Sequence, residues 1–107
     1  MKLIWLDDER NPKKGLEYSI IEIARTVEEA IDIFLDLNDG EEPICISFDH
    51  DLGTEKTGYD LAKWLVEHKI TGFFHLHTMN PVGRENIRQL LNHYGWTQTF
   101  LLYKGQK

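Results

Sequence analysis

Two acidic clusters each follow a short apolar run. The run at residues 3–6 leads into Asp7-Asp8, and the run at residues 44–48 leads into Asp49-His50-Asp51. If the two ends lie side by side, several carboxylates share one small volume. At an effective dielectric near 20, each like-charge pair about 4 Å apart costs roughly 4 kcal/mol. Protons or a divalent cation can relieve that repulsion, and hard oxygen donors favour Mg²⁺ or Mn²⁺. Asp7, Asp8, Asp49 and Asp51 are therefore the candidate metal ligands. Taken singly, each is equally a solvated turn residue, since Asp is common in turns.

A third segment, His77-Thr78-Met79-Asn80-Pro81-Val82-Gly83-Arg84, has the opposite character. Asn80 followed by Pro81 reads as a helix start. Helix N-termini expose unpaired N–H groups that suit anions. Thr78, Asn80, Gly83 and Arg84 are the candidate substrate-binding residues: Gly83 for close backbone approach, Arg84 for its planar fork. Arg88 sits one turn further along. A capped helix carrying surface arginines is the competing reading. His77 and His50 are candidate acid–base groups, although either could serve only to orient a neighbour. His75 and His77, two apart, could bind Zn²⁺, but two ligands define no site. His68 and His93 fall late in helices, where the helix dipole accounts for them.

The elements that position these groups alternate. Strands are expected at residues 3–6, 19–24, 44–48, 73–77 and 100–103. Helices are expected after Thr26, which with Glu29 forms a capping box, after Thr57, and after Asn80. Strand–helix alternation implies a parallel sheet. Only a short segment containing Asn11-Pro12 and Gly15 joins the first two strands, and no helix follows the fifth. In the order 2-1-3-4-5 both missing helices belong to one face. The expectation is a sheet with three helices on one side and a thin cover on the other. The thinly covered face is the more polar, carrying Cys45, Ser47, His75 and His77. A homodimer burying that face is the competing outcome. In this order the first and third strands are neighbours at the switch point, where functional groups gather outside the carboxyl ends of strands.

Composition sets the outer limits. The 107 residues carry 12 basic and 18 acidic side chains, a net charge of −6. One domain over residues 1–107 is expected. The acidic balance disfavours non-specific nucleic-acid binding. No apolar stretch approaches a membrane span, and no signal peptide opens the chain. A single Cys forms no internal disulfide, so the cytoplasm is the expected location. Trp5, Trp64 and Trp96 could anchor a partner, with Trp5 and Trp64 better suited to the core.

The motifs resemble the receiver domains of two-component response regulators. Leu6-Asp7-Asp8-Glu9, the strand-three Asp49, Thr78 and Lys104 stand where that fold has its metal-binding acids, phosphoacceptor, sensing hydroxyl and lysine. A narrower resemblance covers nearly the whole chain. The residues from Leu6 to Pro12, Ser47 to Gly53, Gly58 to Ala62 and His77 to Arg84 resemble the cyclic-phosphate-processing receiver family of bacteria and phages. The resemblance implies a flavodoxin-like, receiver-like α/β fold with the first and last receiver helices reduced or absent. It implies Mg²⁺ (or Mn²⁺) at the acids, with Asp49 and Lys104 as catalytic candidates beside His77 and His50, which their own chemistry suggests. It also implies, as substrate, a small phosphorylated molecule or the cyclic phosphate of an RNA end. Three functions follow as expectations: metal-dependent phosphoester processing, phosphoacceptor signalling through Asp49, and a non-catalytic interaction protein on a receiver scaffold.

Overall fold

A computed structural model describes residues 1–105; Gln106 and Lys107, the end of the domain read over 1–107, lie outside the described residues. The elements run β1 (Lys2–Leu6), β2 (Ile20–Ala24), α1 (Val27–Leu37), β3 (Ile44–Phe48), α2 (Gly58–Glu67), β4 (Phe73–Leu76), α3 (Pro81–His93) and β5 (Thr97–Gln98). All strand pairs are parallel, and the sheet order is β2-β1-β3-β4-β5.

Local chemistry sets the helix ends. Thr26 accepts from the Glu29 N–H at 3.1 Å, and Asn80 accepts from the Gly83 N–H at 2.9 Å. The Thr57 N–H donates to Asp60 at 2.7 Å. Each bond satisfies a backbone or cap group that the first helical turn leaves unpaired.

The three helices cover one face. Val27, Ala30, Phe34 and Leu37 of α1, Leu61 and Leu65 of α2, and Ile87 and Leu91 of α3 bury against Ile4, Leu6, Ile46, Phe48, Phe74 and Leu76. Phe48 and Phe74 are fully buried, each stabilising the fold by about 1.5–3 kcal/mol. The opposite face carries a thinner cluster, in which Leu3, Leu16 and Cys45 pack with Tyr18, Leu101 and Tyr103. Burial pushes the Cys45 thiol up to about 12, so it packs as an apolar group. Among the described residues, no helix is long and apolar enough to cross a membrane.

The fifth strand differs from expectation. Trp96 is buried, not a surface anchor, and its Nε1–H donates to the Ile70 carbonyl at 2.8 Å. It brings the chain to β4 early, so pairing starts at Thr97 and ends with the Thr99 N–H on the Phe74 carbonyl. The alternating segment 100–103 is extended, but its partner is the β1–β2 connection. Tyr103 bridges Leu16 in the antiparallel sense, and the Glu17 N–H donates to the Leu102 carbonyl at 2.9 Å. Leu101 and Tyr103 face the sheet, while Phe100 and Leu102 are exposed. This strap supplies the thin cover.

Candidate functional site

The ladder continues past the strand ends and carries the site. The Asp7 N–H donates to the Ala24 carbonyl at 3.0 Å, the Asp49 N–H to Leu6 at 3.0 Å, and the His77 N–H to Phe48 at 3.1 Å. Pleating sends alternate residues to one face. Trp5, Ser47 and His75 are in register across three strands, and Asp7, Asp49 and His77 form the next rank outward. Their ligand atoms all lie within 4.8 Å of one another.

Asp7 is the most engaged of the three. Its Oδ1 accepts from the Glu9 and Arg10 N–H groups at 2.9 and 2.7 Å. Its Oδ2 accepts from Arg10 Nε and His77 Nε2, each at 3.1 Å. Burial works to raise its pKa, but the backbone donors and His77 outweigh it, and the net shift is downward. Asp49 goes the other way. Burial raises its pKa, the Thr78 hydroxyl opposes this, and the Asp7 charge adds to the rise. The two acids differ because four donors meet Asp7, whereas Asp49 has the His50 N–H at 2.9 Å and Thr78.

His77 stands behind Asp7. It stacks on Trp5 with centroids 3.8 Å apart and bonds Ser47 Oγ through Nδ1 at 2.8 Å. Burial drives its pKa down to about 4 against the pull of Asp7. A neutral, enclosed imidazole that donates to a carboxylate orients that carboxylate. His50 lies at the rim. Its Nδ1 is 3.0 Å from Asp51 Oδ1, and Asn80 Nδ2 donates to Asp51 Oδ2 at 3.2 Å.

A hollow of about 350 Å³ opens between these groups, lined by Asp7, Asp8, Glu9, Arg10, Asp49 and Asp51 among others. The carboxylates fit a hard divalent cation: Asp7 and Asp49 face each other, and Asp8 borders the same space. Arg10 now holds that position. Its guanidinium bonds Asp7, lies 4.0 Å from Asp49 Oδ2, and is about half exposed. Arg10 is the residue of the acidic hollow to which the sequence assigned no role. Its place three residues after the strand-one Asp was the available signal.

Four residues singled out in the sequence are engaged elsewhere. Arg84 donates to the Leu76 carbonyl at 3.1 Å and lines a separate hollow with His75, Gln98, Thr99 and Phe100. It is not a lining residue of the acidic hollow, where the guanidinium present is that of Arg10. Arg88 is taken up by Glu85. Gly83 lets His50 in, not a ligand: a Cβ there would sit 2.3 Å from the imidazole. Lys104 follows the strap, its N–H donating to the Gly15 carbonyl at 2.7 Å, and it is not at the end of β5.

Gly58 supports the site from below. A Cβ there would lie 2.0 Å from the Asp49 carbonyl oxygen. Helix propensity alone favours Ala over Gly by ~1 kcal/mol. The contact reverses the sign: Gly58→Ala is expected to destabilise the protein by ~2 kcal/mol, the usual scale of overpacking. Thermal melting checks this, and an unchanged or raised midpoint would refute it.

The fold and its acidic strand ends define a receiver-like α/β domain. The sequence model of the cyclic-phosphate processing receiver domain matches residues 2–93, and the chain belongs to that family. No curated protein and no solved structure matches the chain.

Proposed function

We infer that this receiver-like site opens a cyclic phosphodiester with the help of a divalent cation, Mg²⁺ or Mn²⁺, held by Asp7, Asp8 and Asp49. The observation that carries the reading is the convergence of Asp7 and Asp49 on one hollow with the Arg10 guanidinium between them. Membership of a cyclic-phosphate processing family supports the substrate class. When bound, such a cation supplies Lewis-acid polarisation of a phosphoryl oxygen and acidifies a water.

The side chains do the rest. Arg10, released from Asp7, meets the phosphate oxygens and stabilises charge that builds on them. Thr78, beside Asp49, accepts from the Asn80 N–H at 3.1 Å and holds the turn that follows β4. His77 keeps Asp7 oriented from behind. Asp51, at the rim with His50 bonded to it, handles the proton. The water oxygen forms a bond to phosphorus and one ring P–O bond breaks. The water's proton passes through the Asp51–His50 pair to the released alkoxide. The products are a phosphomonoester and a free hydroxyl.

Incubation with Mg²⁺ or Mn²⁺ and a panel of 2′,3′-cyclic nucleotides and small cyclic phosphates tests this, followed by phosphorus NMR. A phosphomonoester accumulating with turnover is the expected result. No turnover on any member, with the cation bound, would overturn it. An acid-labile phosphate on Asp49 after treatment with a small phosphoryl donor would instead support phosphoacceptor signalling, which the nearness of the Thr78 hydroxyl to Asp49 favours.

A further inference from the structure

Beneath the acidic rank lies a continuous chain of hydrogen bonds. Asp7 Oδ2 meets His77 Nε2 at 3.1 Å, His77 Nδ1 meets Ser47 Oγ at 2.8 Å, and the same Oγ meets His75 Nδ1 at 2.8 Å. Ser47 is fully buried and Asp7 nearly so, so water does not supply alternative partners.

Chemistry fixes the direction of this chain. Asp7 accepts from Glu9, Arg10 and His77 and sits against the Arg10 guanidinium, so it acts only as an acceptor. His77 must then carry its proton on Nε2. In the neutral ring Nδ1 is left as an acceptor, and only the Ser47 hydroxyl faces it. Ser47 has one proton and gives it to His77. Its oxygen must therefore receive from His75, which carries its proton on Nδ1.

We propose that Ser47 is a positioning residue that couples the two histidines: Asp7 sets His77 to the Nε2–H tautomer, and the Ser47 hydroxyl passes that setting on, so that His75 is held as Nδ1–H. The two histidines, two residues apart on one strand end, hold opposite tautomers. Second-layer partners commonly fix a histidine tautomer in this way. The proposal rests on the reading of Asp7 as a functional carboxylate, but its test does not depend on turnover.

Long-range ¹H–¹⁵N correlation of the imidazoles at neutral pH, without added metal or substrate, reads both tautomers directly in the wild-type protein. His77 is expected as Nε2–H and His75 as Nδ1–H. Asp7→Asn supplies an amide that can donate to Nε2, and removes the group that sets the direction. It is expected to shift His75, two hydrogen bonds away, toward Nε2–H. In the Ser47→Ala background the same change at Asp7 is expected to leave His75 unaffected. Ser47→Thr, which keeps the hydroxyl, is expected to restore the coupling. A purely structural serine would produce none of this pattern. Matching tautomers in the wild type would overturn the proposal, as would a His75 response to Asp7→Asn that persists without the Ser47 hydroxyl. Correct tautomers with no hydrolysis would leave the chain standing and remove the catalytic reading.

Discussion

Asp49→Asn is expected to weaken Mg²⁺ binding by on the order of 100-fold, about 2.7 kcal/mol, while making the metal-free protein more stable. Both effects come from one charge. The carboxylate is nearly buried, and burial together with the nearby Asp7 raises its pKa. A carboxyl group whose pKa is raised by folding is disfavoured in its ionised form, so its charge opposes folding above that pKa. Removing the charge relieves that opposition. The same charge attracts a cation, and at about 4 Å with an effective dielectric near 20 each unit interaction is worth roughly 4 kcal/mol. Part of this is offset, because cation and carboxylate both give up water on meeting. Calorimetric titration and thermal melting of the one variant read both signs. Arg10→Gln is the matched control. It removes the cation that competes for the same carboxylates and is expected to bind Mg²⁺ more tightly than wild type. Unchanged affinity in Asp49→Asn would place the cation elsewhere.

The second large effect is acid destabilisation in a window above the ordinary carboxylate range. In the unfolded chain His77 takes up a proton near 6.5; in the folded protein burial delays this to about 4. Between those values the unfolded state binds more protons, so stability falls as pH falls. The gap corresponds to ~3 kcal/mol at about 1.36 kcal/mol per pKa unit. His75 is shifted in the same direction, by burial and by the Arg84 charge, and adds to the slope. Asp7, shifted downward, contributes its loss at lower pH. Urea unfolding at pH 7 and pH 4.5 is expected to show the drop in wild type and a smaller drop in His77→Gln. Equal drops would mean that His77 does not carry it.

Much of this was legible in the sequence because it depends on short-range rules. Capping at Thr26, Thr57 and Asn80 follows from hydrogen bonds within a turn. The order of strands is that of the receiver-like fold the motifs resemble, and given that order the two missing helices leave one face thinly covered. The placing of Ser47, His75 and His77 on the thinly covered face follows from strand alternation. Failures came where a long side chain or a distant partner decides. Arg10 and Arg84 are both arginines beside strand ends, and only the fold shows that one bridges Asp7 and Asp49 while the other turns to the Leu76 carbonyl. The alternation at residues 100–103 was real, but alternation does not say which strand is the partner. Gly83 was read as making room for a ligand, when the occupant is His50, 33 residues earlier in the chain.

The ladder bonds made by Asp7, Asp49 and His77 are backbone bonds. The separation of the three positions is thus inherited from the pitch of the sheet, about 4.8 Å between strands, and owes little to the side chains themselves. The scaffold works like the teeth of a comb, indifferent to what is mounted on each tooth. Exchange of a carboxylate for an amide there changes the chemistry while the teeth stay where they were. The vulnerable point lies one layer down, at Gly58, where a single added carbon pushes on the Asp49 carbonyl and so on the comb itself.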